Sequence, residues 1–141
     1  TWGVYQGKYY LVDLLAQKLE YNYLKENVIK MHHKWQPKLI LIEDKASGQQ
    51  LIQELKSAKI SNIVAQKPKI DKITRFALVV PCFTLEQVYL PKNASWLEQV
   101  VNQLTNFPHT AHDDIVDSIS QFLGYMQKIQ LNDNLIQVRS I

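Results

Sequence analysis

Apolar and polar residues change their period several times along the chain, and each change predicts an element. Thr1 to Tyr5 and Lys8 to Leu15 are β-rich runs flanking Gln6-Gly7, which reads as a β-hairpin. From Tyr21 to Trp35, Leu24, Val28, Met31 and Trp35 recur at i, i+4, i+7 and i+11. That is the stripe of an amphipathic helix, ended by Pro37. Lys38 to Ile42 contains Leu-Ile-Leu-Ile, the continuous run of a strand covered on both faces. Ser47 reads as the N-cap of a helix through Lys56 that turns Leu51, Ile52 and Leu55 inward. Asn62 to Ala65 predicts a short strand, Ile70 to Val80 a helix ended by Pro81, and Gln87 to Leu90 a strand stopped by Pro91. Ala94 to Leu104 places Trp96, Leu97, Val100, Val101 and Leu104 on one helical face. His112 to Lys128 does the same with Ile115, Ile119, Phe122 and Met126. Trp2, Trp35 and Trp96 read as core. A hairpin followed by alternating helices and strands argues for an α/β fold, a mixed sheet with helices packed on it.

Composition narrows the classes. The 141 residues, 46% apolar and 21% charged, suit one globular domain. No apolar run reaches about 18 residues, so no transmembrane helix is expected. Thr1 opens directly onto a strand-like stretch, so no signal peptide is expected either. One cysteine, Cys82, excludes an intrachain disulfide framework and, with four scattered histidines, argues against structural zinc. A net charge of +3 tolerates a polyanionic partner without demanding one. The four glycines, at 3, 7, 48 and 124, cannot spell either a P-loop or a dinucleotide-binding loop.

Two acidic clusters carry the candidate chemistry. Glu43-Asp44 follows the apolar run Leu39 to Ile42, and open α/β sheets bind ligands beyond the carboxyl ends of their strands. Glu43 continues the strand and Asp44 points to its other face. Lys45 and Gly48 follow, a pair that permits close approach of a phosphate backbone. A solvated turn ahead of a helix accounts for the same residues. The second cluster, His112-Asp113-Asp114-x-x-Asp117, opens the last helix. With Ile115 at 0° on a helical wheel, Asp114 falls at about 260°, Asp117 at about 200° and Asp113 at about 160°. Asp113 and Asp117 thus sit opposite the apolar stripe, with Asp114 nearest its border. Capping explains Asp113 and Asp114; it explains Asp117 less well. Carboxylates from a strand end and a helix start are what Mg²⁺ or Mn²⁺ requires.

Other residues carry less. His32 and His33 are adjacent on a helix, about 100° apart, and read as solvent-exposed. His109 and His112 flank the acids and could orient water or simply lie on the surface. Lys67, Lys69, Lys72 and Arg75 form the densest basic stretch. Lys72 and Arg75 share a face at i, i+3, suited to phosphate contacts or to plain solvation.

Six segments then stand in a telling order. They are Ile42-Glu43-Asp44-Lys45-Ala46-Ser47-Gly48, Lys67-Pro68 with Asp71, Lys72 and Arg75, Val88-Tyr89-Leu90-Pro91, Trp96-Leu97, Phe107-Pro108 and His112-Asp113-Asp114-Ile115-Val116-Asp117. The chain from about Thr1 to Gln127 resembles the C-terminal nuclease domain of the large terminase subunit of tailed bacteriophages, which has a ribonuclease H-like fold. The resemblance implies an endonuclease that uses two Mg²⁺ or Mn²⁺ ions to cut concatemeric double-stranded DNA during genome packaging. It implies the bacterial host cytoplasm, and as partners the terminase ATPase domain, the portal and the small subunit, with no membrane. Glu43 matches the family's second acidic position, with Asp44 as a substitute. Asp114 matches the third, with Asp113 and Asp117 in support. The implied catalytic set is Glu43, Asp114 and Asp117. The metal set is Glu43, Asp114, Asp113 and Asp44, and the DNA contacts are Lys45, Lys72 and Arg75. Residues 1–128 would form the nuclease domain and 129–141 a C-terminal tail.

One family feature has no counterpart. Thr1 to Tyr5 corresponds to the family's second strand and Lys8 to Leu15 to its third. The first strand, central in the order 3-2-1-4-5 and bearing the first catalytic aspartate, is unmatched. So is the ATPase domain. The expectation is a fragment, split product or prophage remnant with impaired cleavage. Thr1 to Tyr5 and Lys38 to Ile42 would then expose bare edges. A tail strand around Leu135 to Val138, a second copy, or direct pairing of the two strands would close them. Two other classes stand beside the nuclease: a non-catalytic remnant binding DNA or packaging proteins, and another ribonuclease H-like nuclease such as a junction resolvase.

Overall fold

The computed structural model describes residues 1–138, with side chains as far as Leu131. The chain divides into two compact units, Gln17–Lys69 and Thr1–Ala16 joined with the chain from Ile70 onward. Both are mixed α/β.

In the discontinuous unit, β1 (Trp2–Tyr5) and β2 (Lys8–Leu11) form an antiparallel hairpin. Its two-residue turn has both Gln6 (φ 48°) and Gly7 (φ 73°) in the left-handed region, as the twist-matched hairpin turn demands. Beyond Leu11 the chain leaves the sheet, four residues before the run of apolar residues ends. This unit also contains α3 (Lys72–Thr84), β5 (Val88–Tyr89), α4 (Leu97–Asn106) and α5 (Asp114–Val138). β5 pairs in parallel with β2, so the order is β1-β2-β5. The strand expected at the sheet edge, Lys8 onward, is therefore central. Tyr9 N–H donating to Gln87 O at 2.7 Å leads β5 into place.

One face of this sheet is buried. Tyr9 and Leu11 from β2 meet Val79 and Cys82 from α3, Val100 from α4, and Ile115, Ile119 and Leu123 from α5. Trp2 stacks on Phe122 at 4.7 Å, and Tyr9 meets the same ring edge-on at 5.7 Å. Val116 and Leu123, off the predicted stripe of α5, are buried as deeply as Ile115 and Ile119. α3 does not stop at Pro81. The proline removes one helical donor, costing about 3 kcal/mol, but Val79 and Cys82 on either side of it are fully packed. Leu85 N–H on Pro81 O, 2.9 Å, closes the following turn. Val101 of α4 is exposed, and Gln103 takes the inward position instead. α5 continues to Val138, so residues 135–138 are helical rather than the anticipated tail strand; residues 139–141 of that tail lie outside the described part.

The second unit is α1 (Tyr21–Trp35), β3 (Ile40–Glu43), α2 (Ser47–Ser57) and β4 (Ile63–Gln66). β3 and β4 pair in parallel, Ile40 opposite Ile63 through Glu43 opposite Gln66. Leu51, Leu55 and Ile60 form the core, with Leu24, Val28 and Ile29 of α1 and Ile40 and Ile42 of β3 packed against it. The Leu39–Ile42 run is half-buried, not enclosed on both faces. Trp35 is not core: it is exposed beneath the Lys34 ammonium, 4.9 Å from its ring. His33 is exposed, but His32 is half-buried, with a sequestered Nδ1 that lacks a partner.

Among the described residues β1 and β3 lie in separate sheets and do not pair with each other.

Candidate active site

Glu43 is the last residue of β3, and the backbone beyond it is tightly folded. Asp44 N–H still donates to Gln66 O (2.8 Å), extending the parallel ladder by one bond. Lys45 N–H then turns back to Glu43 O (3.0 Å), and Gly48 N–H donates to Lys45 O (2.8 Å). Ala46, ahead of α2, has φ 40° and ψ −115°, a strained conformation for a residue with a Cβ, at a cost of about 1–3 kcal/mol. Ser47 is the first helical residue and makes no side-chain cap. Gly48 has a definite task. A Cβ there would overlap the Glu43 carbonyl oxygen and lie 3.2 Å from its carbonyl carbon. The glycine lets α2 abut the end of β3; its closeness is to the protein's own backbone.

Both acids here have cationic partners. Glu43 Oε1 is 2.8 Å from Lys45 Nζ, and Asp44 Oδ2 is 3.1 Å from Lys67 Nζ. The Lys67 hydrogen bond, aided by one from Gln49, holds the Asp44 carboxyl below the usual carboxylate range. Lys45 and Lys67 are exposed, so these pairs are screened and weak.

The acids of the other unit stand at the start of α5, against α3. Lys72 Nζ donates to both Asp113 oxygens, at 2.8 and 2.7 Å. Arg75 Nη2 donates to Asp117 Oδ1 at 2.6 Å, and its Nε donates to Ser120 Oγ at 3.2 Å. Ser120 Oγ in turn donates to Asp117 O. Asp113 and Asp117 therefore face α3, not open solvent opposite the apolar stripe. The Asp113 hydrogen bond raises the Lys72 ammonium above its ordinary value. Asp114 is exposed, and its carboxylate has no hydrogen bond or ion pair among the described residues.

The α5 terminus is capped from elsewhere. Ile115 N–H donates to Gln103 Oε1, 3.1 Å away on α4. Asp113, the anticipated cap, has its carboxylate on Lys72 instead. Gln103 and Ser120 are the two buried polar residues of the described chain, and both were missed because single polar residues on apolar faces carry no spacing signal. Asp71, which caps α3 by accepting from Thr74 N–H at 2.9 Å, was missed too. His109 and His112 line a polar surface groove of about 640 Å³ along α4, with Glu98, Asn102 and Asn106.

The donor chemistry of both clusters, carboxylate oxygens throughout, fits a hard divalent cation. No three His, Cys, Asp or Glu side chains among the described residues group into a ligand set. The chain matches the family described as the terminase RNaseH-like domain over residues 3–125, and it belongs to that family. No curated protein and no solved structure matches it significantly. No helix among the described residues is long and apolar enough to cross a membrane.

Proposed function

We propose that this domain is the nuclease part of a terminase large subunit, cutting double-stranded DNA with divalent metal as concatemers are packaged. The observation that carries the reading is positional. Within the family match, Glu43 ends a parallel strand, and Asp114 opens a helix and has no side-chain partner among the described residues. The resemblance assigns cation binding to Glu43, with Asp44 beside it, and to Asp114, with Asp113 beside it. Bound there, the cation would polarise the phosphodiester and lower the pKa of an attacking water. Lys45 and Lys72, with exposed ammonium groups, would contact phosphate. Arg75, turned inward, orients Asp117. The ATPase domain, portal and small subunit are the partners this reading entails.

Glu43 and Asp114 match two of the family's three acidic positions. Binding should be weak, in the millimolar range, and nicking by these 141 residues very low until a strand bearing the first, missing aspartate is supplied. Calorimetry with Mn²⁺ on wild type, Glu43→Ala and Asp114→Ala tests the site: equal binding by all three rejects it. Plasmid nicking at an ordinary nuclease rate would reject the impairment. A second reading, a non-catalytic DNA- or partner-binding domain, is favoured by the ion pairs that tie Asp113 to Lys72 and Asp117 to Arg75. DNA binding that persists unchanged in Asp114→Ala, with no Mn²⁺-dependent nicking even after the strand is supplied, would select it.

A further inference from the structure

Asp113, Asp114 and Asp117 stand at the start of α5, and the two cations that α3 sends toward two of them differ in kind. Arg75 is 13% exposed and is held by Asp117 and Ser120 together. It is a fixed part of the α3–α5 interface. Lys72 is the first residue of α3 and is 52% exposed. Its ammonium, a compact and strongly hydrated charge on a flexible stem, spans both oxygens of Asp113 and lies 3.4 Å from Asp117 Oδ2. Asp114, the adjacent residue, is open.

We propose that Lys72 is a positioning residue that occupies Asp113 and competes with a divalent cation for it. The proposal rests on the reading of Asp114 as a metal-binding acid. A cation recruited by Asp114 can gain Asp113 as a second ligand only by displacing the Lys72 ammonium, because two cations at ion-pair distance repel. Arg75 keeps Asp117 in place throughout, since its guanidinium also serves Ser120. The α5 acids thus divide into one open, one reserved and one structural.

The test is Mn²⁺ titration of the full chain by calorimetry, with the free-ion spectrum of Mn²⁺ as a second readout. Lys72→Gln is expected to bind Mn²⁺ more tightly by about fivefold, the scale of breaking one exposed ion pair. Lys72→Arg, which keeps the pair, should stay near wild type. Lys128→Gln removes the same charge about 21 Å along α5 from Asp114 and should change nothing. Adding Asp113→Asn to Lys72→Gln should abolish the gain, and thermal melts confirm that each variant folds. Wild-type binding that needs Asp114 but is unchanged or weakened in Lys72→Gln overturns this proposal alone. Absence of Mn²⁺ binding in every variant overturns it together with the metal site.

Discussion

Replacing Arg75 with methionine keeps the length of the side chain and much of its packing but removes the guanidinium. The cost follows from where its partners lie. Asp117 is only 21% exposed and would lose a 2.6 Å charge-assisted bond, while Ser120 Oγ would lose a donor. A fully buried pair broken on one side costs about 3–5 kcal/mol, and an exposed pair about 0–1 kcal/mol. This pair lies between, so the expected loss is about 2 kcal/mol. Urea is the denaturant to use because it does not screen charge. At a slope of about 2 kcal/mol per molar, the midpoint should fall by about 1 M. A double-mutant cycle with Asp117→Asn isolates the pair, with a coupling of at least about 1 kcal/mol. High salt should reduce that coupling little, given the low exposure of both groups. Strict additivity, or an Arg75→Met midpoint equal to wild type, would refute the assignment of Arg75 to the α3–α5 interface.

Further expectations concern the backbone and the caps. Gly48→Ala drives a Cβ into the Glu43 carbonyl and should destabilise by about 3 kcal/mol; thermal unfolding within half a degree of wild type would show that α2 does not abut β3 so closely. Gln103→Leu leaves the Ile115 N–H without its acceptor, for a loss of about 1–3 kcal/mol, measurable as faster amide exchange in the first turn of α5. Asp44, Asp71 and Glu54 all titrate below their ordinary values because Lys67, the Thr74 N–H and Lys25 respectively bind their charged forms. The native state thus binds fewer protons than the unfolded one near and below about pH 4. The stability these groups add is complete above that range and is lost as pH falls through their lowered values; a urea midpoint unchanged between pH 6 and pH 2 would contradict this.

Local pattern was enough for much of this protein. The extent of α1, the Gln6-Gly7 hairpin and the inward trio Leu51, Ile52 and Leu55 all lie where periodicity and turn chemistry put them, because those rules act within a few residues. The family was also legible, since motif order is a linear property. Other features depended on residues far apart in the chain. Pro81 is tolerated because burial of Val79 and Cys82 outweighs a lost helical bond, which no local rule weighs. β2 became central because β5, seventy-odd residues later, pairs with its open edge. The acids of α5 looked solvent-facing on a wheel, yet Lys72 and Arg75 arrive from another helix to claim two of them. Gln103 caps a helix it does not belong to. Gly48 looked like room for a phosphate and proved to be room for a carbonyl. Spacing along one element reports which side chains share a face; which partner meets that face is a matter of packing, and only the tertiary structure decided it.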